Sequence, residues 1–476
     1  MSTMLKTSLP FLLTEVKAPP DPAALYINLT GGRPGSFLLE SALQHPRLGR
    51  YSFLGWDPFL VLKTKGFQAT IEEAGKGKIT VLDNPWNVIR QLLIRYQQPF
   101  TQPHPLPFIG GIVGYLAYDL GRYIERLPQW ARDDLPFPEG YLAFYATVVG
   151  IDHQEERVYV AAHGFPASGT AAYKLALARI KEVEERLLKV RPLPALDTRK
   201  NDKAEGISSL FTRDTYCRAV ERAKNYIAAG DIFEVNLSQR FETRLPFHPL
   251  ELYLRLRKFN PAPFAAYLPL EEGVIVSASP ERFLRVSKGQ VETRPIKGTR
   301  PRGRTPAEDQ ALRKELWESE KDRAELVMII DLERNDLGRV CEVGSVKVPE
   351  LFVLEEYATV FHLVSTITGA LRKDKDMVDL WRATFPGGSI TGAPKIRAME
   401  IIEELEPVRR SVYTGSLGYL GFNGEADWNI AIRTFLIVGN RAYFQTGGAV
   451  TADSDPGSEY QETLDKACGL LKALGL

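Results

Sequence analysis

The chain has 476 residues, of which 44% are hydrophobic and 25% charged, and its formal net charge at pH 7 is +1. This composition is typical of a soluble globular protein with two or three domains' worth of core, and the near-neutral charge argues against a general affinity for nucleic acid or anionic membranes. The three cysteines, Cys217, Cys341 and Cys468, lie far apart, which excludes a disulfide framework or a cysteine-built zinc site.

The N-terminus carries a short apolar patch that is broken by Pro10 and is not followed by a small-residue cleavage pattern. We therefore predict no signal peptide. No apolar run approaches the roughly 18 residues that cross a bilayer, so we predict no membrane span. Both expectations favour a cytoplasmic protein.

Residues 1–165 are predicted to form mostly strands. Glycines and a proline divide residues 36–62 into β-type runs, and residues 141–163 predict one hairpin that turns at H-Q-E-E. Apolar side chains recurring every 3.6 residues predict a helix over residues 171–190. Residues 191–210 combine prolines and charges with little hydrophobic pattern and predict a linker.

The linker separates a predicted N-terminal region, residues 1–190, from a catalytic domain, residues 211–476. In this second part, a helix is predicted over residues 213–229 and a hairpin over residues 283–296, turning at Lys288 and Gly289. A capping box with proline at the first helical position starts a helix after Thr305, a three-strand meander is predicted over residues 415–446, and Asp455 opens the last helix. Sheets built from meanders rather than β-α-β crossovers indicate the α+β class.

A basic stretch, residues 292–304 (E-T-R-P-I-K-G-T-R-P-R-G-R), contains Lys297 between Ile296 and Gly298. A lysine is a nucleophile only when neutral, and burial or nearby positive charge lowers its pKa. We expect Arg294, Arg300 and Arg302 to supply that charge and to hold an anionic substrate through their guanidinium groups. The alternative for such a stretch in isolation is a solvated basic loop.

Two acidic groups lie at helical spacing, each on one face of a predicted helix. Asp322 and Glu325 form the first, and Glu459 and Glu462, followed by Lys466, form the second. Helical carboxylates with few histidines nearby suit Mg²⁺, which prefers one or two carboxylates together with water and substrate oxygens. The alternative is a solvated helix face.

Three further features are candidates for chemistry. The glycine loop 385–395 (F-P-G-G-S-I-T-G-A-P-K) runs into a helix with Pro394 placed for its first turn, and such a helix start can bind anions. Glu281 in S-P-E-R-F could protonate a leaving group if its pKa is raised. His362 has apolar neighbours and would by default be a core histidine.

Taken together, the motifs resemble the chorismate-utilising enzymes, the family of the anthranilate, aminodeoxychorismate, isochorismate and salicylate synthases. The matching pieces in family order are S-P-E-R-F, P-I-K-G-T-R-P-R-G, E-L-V-M-I-I-D-L-E-R-N-D-L, F-P-G-G-S-I-T-G-A-P-K, Y-T-G-S-L-G-Y, A-I-R-T and A-D-S-D-P-G-S-E-Y-Q-E-T. N-terminal F-L-L-E-S and G-G-I-V-G-Y-L-A-Y-D resemble the synthase members as well. The resemblance implies the family's α+β fold, with antiparallel sheets packed face to face and helices on the outside.

The resemblance also implies a role for each matching position. Lys297, Glu281 and His362 match catalytic positions, and that of His362 is one around the ring of chorismate. Glu325 and Glu462 match Mg²⁺ ligands, with Asp322 and Glu459 in water-mediated support. The positions matching those that hold chorismate are Thr299, Ser389, Tyr413, Arg433, Gly447, Gly448, the following Ala449 and Lys466.

Position 297 distinguishes the members. Anthranilate synthases carry alanine there, whereas Lys297 is similar to the aminodeoxychorismate synthases, in which the lysine attacks ring carbon C2 and ammonia then adds at C4. The resemblance therefore implies C4 amination, for p-aminobenzoate and folate synthesis. The alternative is the anthranilate reaction, amination at C2 with loss of pyruvate. Glu234 stands where isochorismate-forming members have a water-activating lysine and the amino-adding members usually have glutamine.

Glu40 and Ser41 match an amino-acid effector pocket of the family, but Phe264 and Ala265 replace the Tyr-Met of tryptophan-inhibited members. We therefore expect any amino acid bound there to be structural or absent. None of the three cysteines lies in a glycine-flanked nucleophile turn, so ammonia is expected from a separate glutamine amidotransferase subunit. A non-catalytic, nucleic-acid-binding role for residues 294–304 is disfavoured because no aromatic residues are interleaved with the basic ones.

Overall fold

The computed structural model describes residues 11–19, 21–43, 48–97, 104–165, 167–193, 204–357 and 360–476. The predicted N-terminal patch is mostly outside these residues, as is much of the predicted linker. The strands are β1 Phe11–Val16, β2 Phe37–Glu40, β3 Tyr51–Gly55, β4 Leu60–Lys65, β5 Gln68–Glu73, β6 Gly77–Leu82, β7 Gly111–Leu116, β8 Gly140–Tyr145, β9 Thr147–Asp152, β10 Arg157–His163, β11 Glu205–Ser209, β12 Glu234–Arg244, β13 Phe264–Pro269, β14 Val274–Ser279, β15 Arg282–Ser287, β16 Gln290–Arg294, β17 Ile296–Pro301, β18 Lys347–Glu356, β19 Val360–Ala370, β20 Gly392–Ala393, β21 Ser416–Gly421, β22 Ala426–Ile430, β23 Thr434–Val438 and β24 Arg441–Val450.

The helices confirm the predicted ones and add others. They are α1 Pro22–Thr30, α2 Pro85–Tyr96, α3 Gly169–Leu187, α4 Arg213–Ala228, α5 Pro249–Phe259, α6 Pro306–Glu318, α7 Glu320–Gly338, α8 Met377–Thr384, α9 Lys395–Leu405 and α10 Pro456–Leu474, with short 3₁₀ helices at Tyr118–Tyr123 and Gly388–Ile390. Local chemistry fixes the starts, since the Thr305 side chain accepts from the Glu308 amide at the start of α6 and Asp455 caps α10 in the same way. The sequence predicted Pro394 in the first turn of α9, whereas in the structure it is the residue immediately before that helix.

The strands form two 12-stranded sheets whose neighbours pair antiparallel. The first sheet has the order β1-β10-β9-β3-β2-β13-β14-β23-β24-β12-β11, with β20 beside β12. The second has the order β17-β19-β16-β15-β22-β21-β7-β8-β4-β5-β6, with β18 beside β19. Both sheets therefore combine strands from early and late parts of the chain.

The two sheets pack face to face around an aromatic-rich core. Phe53 of β3 and Tyr419 of β21 meet across this interface, with ring centroids 5.4 Å apart. Leu25, Ile180 and Leu470, from three helices, belong to a second cluster on the outer face of the first sheet. A third cluster joins α2, α7 and α8 to the second sheet. The α+β prediction, with face-to-face sheets and outer helices, is confirmed.

The early and late parts of the chain share both sheets. β2 pairs with β13 in the first sheet, where Glu40 lies opposite Ala265. β7 pairs with β21 in the second sheet along its full length. The end of the predicted linker forms β11, which pairs with β12. Residues 40 and 265 are thus brought together although they come from the two predicted regions.

Two predicted β-segments are confirmed in part, and each divides between the two sheets. The hairpin predicted over residues 141–163 is confirmed for β9 and β10, which pair on either side of the H-Q-E-E turn. Residues before Ala146 are different, since β8 belongs to the second sheet and β9 to the first, with Ala146 at the crossing. Both turns of the meander predicted over residues 415–446 are confirmed, because β21 pairs with β22 and β23 with β24. Its middle strand divides, since β22 lies in the second sheet and β23 in the first. Arg433, at this second crossing, has a φ of 52°, which non-glycine residues adopt rarely. None of the described helices is long and apolar enough to cross a membrane.

Candidate active site

Lys297 lies at the start of β17, and its side chain is only 8% exposed. Its Nζ donates to Glu234 Oε1 at 2.6 Å, from the first residue of β12 on the other sheet. Burial alone would lower the pKa of Lys297, but the carboxylates of Glu234, Glu325 and Glu281 outweigh it and raise the pKa. The expectation of a lowered pKa was therefore wrong, and Lys297 rests as an ammonium.

The arginines expected to depress that pKa are paired with carboxylates instead. Arg294 donates to Glu355 at 2.7 Å, and Arg302 donates to Asp309 at 2.6 Å. Arg300 donates at 2.7 Å to Glu315 and at 3.1 Å to Asp322. Arg300 and Arg302 thus hold the loop against α6 and α7, while Arg294 pairs with β18. The prediction that their charge lowers the pKa of Lys297 was wrong, and a contact with the substrate stays a prediction.

Glu281 follows β14 and is 5% exposed. Its Oε1 accepts from the Ser389 hydroxyl at 2.6 Å and from the Ile296 amide at 3.4 Å. Burial raises the pKa of Glu281 to about 7, against the lowering effect of Ser389, Ile296 and the nearby Lys297. A carboxyl with this pKa can be protonated at neutral pH, which is what the predicted role as a proton donor requires.

His362 lies on β19 directly opposite Thr299 of β17. The Thr299 hydroxyl and His362 Nδ1 are 2.9 Å apart, and the ring is also packed against Tyr357. Burial, helped by the positive charge of Arg433, lowers the pKa of His362 to about 4. The imidazole is therefore neutral at pH 7, and it fixes the orientation of the Thr299 hydroxyl two residues from Lys297.

The two predicted acidic groups lie on α7 and α10, at the spacing that the sequence indicated. Burial raises the pKa of Glu325 to about 7, and the negative charge of Glu234 adds to this against the opposing charge of Lys297. Burial would also raise the pKa of Glu462, but Lys466, whose Nζ lies 2.6 Å away, and Lys297 lower it. Helices α7 and α10 thus present carboxylates to the same lysine.

The donor set fits a hydrated Mg²⁺ ion. Glu459 is 3% exposed, and its Oε2 has no hydrogen-bond partner among the described residues. Gly448 leaves the space beside these oxygens open, since a Cβ there would lie 3.0 Å from Glu459 Oε2 and 3.1 Å from Glu462 Oε1. No three His, Cys, Asp or Glu side chains in the described ranges form a metal cluster by themselves. A Mg²⁺ ion here would need two carboxylates as direct ligands, with water and substrate oxygens as its other ligands.

The remaining predicted binding residues border the same carboxylates. Lys466 Nζ donates to the Gly447 carbonyl at 2.9 Å, and the Arg433 guanidinium donates to the Lys466 carbonyl. Burial lowers the pKa of Arg433, with the nearby Tyr413 opposing this. Gly447 lies opposite Ser238 on β12, so close that a Cβ would meet the Leu237 carbonyl at 2.5 Å. Lys466 and Gly448 thus place a cation and a backbone amide beside the carboxylates of α10.

Arg410 supports the site and was not singled out from the sequence. It is 1% exposed and donates to Glu406 at 2.7 Å, to the Ile390 carbonyl at 2.9 Å and to the Asn236 carbonyl at 2.6 Å. It therefore ties the 3₁₀ helix that carries Ser389 to the strand that begins with Glu234. The only signal in the sequence was a Glu-Arg pair four residues apart.

Glu40 and Ser41 lie away from Lys297, at the end of β2. Glu40 Oε1 accepts from Arg257 at 2.8 Å, and its Oε2 accepts from the Tyr253 hydroxyl. The Ser41 hydroxyl donates to the Tyr51 carbonyl at 2.7 Å. Both Glu40 oxygens thus have partners within the chain, and the expectation that a bound amino acid here is structural or absent stays a prediction.

The comparisons with known proteins identify the family. A family model described as chorismate binding enzyme matches residues 40–472. The chain belongs to the chorismate-binding enzyme family. Within this family it is 42% identical over 452 residues to aminodeoxychorismate synthase component 1 of Bacillus subtilis, covering 94% of this chain and 93% of that protein. It is also 42% identical over 454 residues to anthranilate synthase component 1 of Thermus thermophilus, covering 95% of both.

A solved structure in the family has the same architecture. Anthranilate synthase component I from Streptococcus pneumoniae superposes with a TM-score of 0.76 at 30% identity, covering 90% of this chain and 94% of that one. Relatives named for two different reactions thus match about equally well. The relatives therefore do not distinguish C4 amination from the anthranilate reaction.

Proposed function

We propose that this chain aminates chorismate at C4 to give 4-amino-4-deoxychorismate, a precursor of p-aminobenzoate and folate, through a covalent bond to Lys297. The observation that carries the proposal is the position of Lys297. It is buried, its Nζ is 2.6 Å from a carboxylate, and a second carboxyl, Glu281, has a pKa of about 7. A nucleophile and a proton donor close together are what substitution of a ring hydroxyl requires.

In the proposed reaction, Lys297 Nζ bonds to C2 while the conjugated double bonds of the ring shift and the C4–O bond breaks. Glu281 gives its proton to the departing hydroxyl, which leaves as water. Ammonia then bonds to C4, the double bonds shift back and the C2–Nζ bond breaks. Dividing the substitution into two steps lets nitrogen reach C4 without direct displacement of hydroxide.

The rest of the site would bind and orient the dianionic substrate. Lys466 and Arg433 supply positive charge, the amides around Gly448 can donate, and the Thr299 hydroxyl is held in place by His362. Glu325 and Glu462 would hold Mg²⁺, with Asp322 and Glu459 supporting its water ligands, and the ion would neutralise substrate carboxylate charge.

We further propose that ammonia comes from a glutamine amidotransferase subunit. The relatives are named as component 1, which implies a second component for those enzymes. Cys341 does not suit glutaminase chemistry, because it is buried and burial raises its pKa to about 11.

The test is product identification by mass spectrometry with the purified chain, chorismate, Mg²⁺ and ammonium. Wild type should form aminodeoxychorismate, and Lys297→Ala should lose it or form anthranilate instead. Anthranilate from wild type, unchanged in Lys297→Ala, would overturn the proposal and assign the anthranilate reaction.

A further inference from the structure

Glu234 has one oxygen with a partner and one without. Its side chain is completely buried, Oε1 accepts from Lys297 at 2.6 Å, and Oε2 has no hydrogen-bond partner among the described residues. A buried carboxylate oxygen without a donor is costly, so proteins rarely leave one in a purely structural ion pair. The second oxygen can accept a proton without breaking a hydrogen bond.

The backbone holds this carboxylate in place. Glu234 pairs with Ala393 of β20, which belongs to the loop that also carries Ser389. Gly392 approaches so closely that a Cβ there would lie 2.2 Å from the Glu234 carbonyl oxygen, and its φ of 144° also favours glycine. The loop that carries Ser389, the hydrogen-bond partner of Glu281, therefore also holds the backbone of Glu234.

Lys297 must lose a proton before it can attack. The charged groups facing it are Glu234 from β12, Glu281 after β14, Glu325 from α7 and Glu462 from α10. Only Glu234 accepts a hydrogen bond from Nζ in the described structure. Glu281 accepts a hydrogen bond from Ser389, and in the proposed reaction its proton goes to the leaving hydroxyl.

We propose that Glu234 is the base that takes the proton of Lys297 as Nζ attacks C2, and the acid that returns it when the amine leaves. The inference rests on the proposed C4 amination. In the first step the proton passes from Nζ to Glu234, the Nζ–C2 bond forms and the C4–O bond breaks, and Glu281 donates a second proton to give water. In the second step ammonia bonds to C4, the C2–Nζ bond breaks, Glu234 reprotonates the lysine, and Glu281 takes a proton from the new C4 ammonium group.

The experiment measures turnover of full-length wild type and of Glu234→Gln with ammonium, over a range of roughly pH 6.5–10. Glutamine keeps the shape and a hydrogen-bond acceptor but cannot take a proton. Amino-adding members of the family usually carry glutamine here, but in this chain Lys297 donates to the Glu234 carboxylate, so we expect kcat at pH 7 to fall by roughly 10²–10⁴-fold. The ratio of variant to wild-type kcat should then rise with pH, because hydroxide takes over proton removal while both enzymes share Glu281.

A ratio that stays constant with pH would overturn the proposal, because merely holding Lys297 in place needs no proton transfer. A kcat of Glu234→Gln within about threefold of wild type at every pH would also overturn the proposal, because loss of a general base costs far more. Asp152→Asn is the matched control: Asp152 is buried and paired with Arg50 at 2.8 Å, far from the site, and its loss should leave the pH profile unchanged.

Glu234→Asp provides a second measurement should glutamine prevent folding. It keeps a carboxylate, so its turnover should fall but its ratio to wild type should stay flat with pH. A ratio that rises with pH for aspartate would contradict the proposal. Product analysis separates the two ideas: aminodeoxychorismate from wild type with a pH-independent Glu234→Gln defect rejects only the role of Glu234, whereas anthranilate from wild type rejects the C4 reaction itself.

Discussion

Two buried carboxylates, Glu234 and Glu40, each pair with a basic side chain, yet their surroundings differ. Glu40 accepts from Arg257 and Tyr253, so both of its oxygens have partners. Glu234 accepts from Lys297 alone, and its second oxygen has no partner among the described residues. A fully paired carboxylate stabilises structure, whereas a half-paired one beside a lysine is placed to exchange a proton.

Exchanging the cation within each pair should give the largest difference in rate. Lys297→Arg keeps the positive charge but removes the nucleophile, since a guanidinium does not lose its proton in proteins. Its kcat should fall by more than the roughly 10²–10⁴-fold that loss of a general acid costs. Arg257→Lys should keep wild-type kcat per folded molecule, with folding checked by circular dichroism. Comparable losses in both variants would remove the distinction between the pairs.

The proton donor should give the next largest effect. Glu281→Gln should lower kcat by roughly 10²–10⁴-fold. Because the pKa of Glu281 is about 7 and the donor must be protonated, wild-type activity should fall as pH rises through about 7. Ser389→Ala removes a hydrogen bond that lowers this pKa, so the fall should move to higher pH. A shift of the pH–rate profile to lower pH in Ser389→Ala would contradict the assignment.

Arg257→Met should affect stability rather than rate. It leaves Glu40 buried with Tyr253 as its remaining partner. Loss of one member of a fully buried pair costs roughly 3–5 kcal/mol. Because Arg257 is 30% exposed, we expect roughly 2–3 kcal/mol of lost unfolding free energy, measured by denaturant titration. Retained stability together with lost turnover would show that this pair belongs to the catalytic machinery.

The smallest effect is expected at Ser41. Ser41→Ala removes the hydrogen bond to the Tyr51 carbonyl and should lower the unfolding free energy by about 1 kcal/mol, with kcat unchanged. Because both Glu40 oxygens already have partners, added tryptophan should not inhibit wild type. Inhibition that Ser41→Ala abolishes would instead establish an effector site.

Local patterns predicted the helices well and the sheets less well. The capping signals at Thr305 and Asp455 involve atoms within three residues of one another, so the sequence contains all that is needed. The crossings at Ala146 and Arg433 have no glycine or proline, and the β-type pattern continues through them. Which sheet each segment joins depends on partners such as β4 and β14, far away in the chain.

For the site, the sequence indicated the residues but not their charge states. The acidic pairs of α7 and α10 follow from helical spacing, and Lys297 and Glu281 were recognised from their motifs. The arginines near Lys297 in sequence were expected to control its pKa and do not, because each pairs with a carboxylate elsewhere. The groups that do control it come from other elements.

The sequence by itself determined the family, the α+β class and the chemical groups available: a lysine, a proton donor, and helical carboxylates. Only the tertiary structure decided that Lys297 rests charged, that Glu281 has a pKa of about 7, and that Glu234 is the partner of the lysine. The physical reason is that burial and charge act through space. Glu234 and Lys297 are 63 positions apart in the chain, and Glu281 and Ser389 are 108 apart.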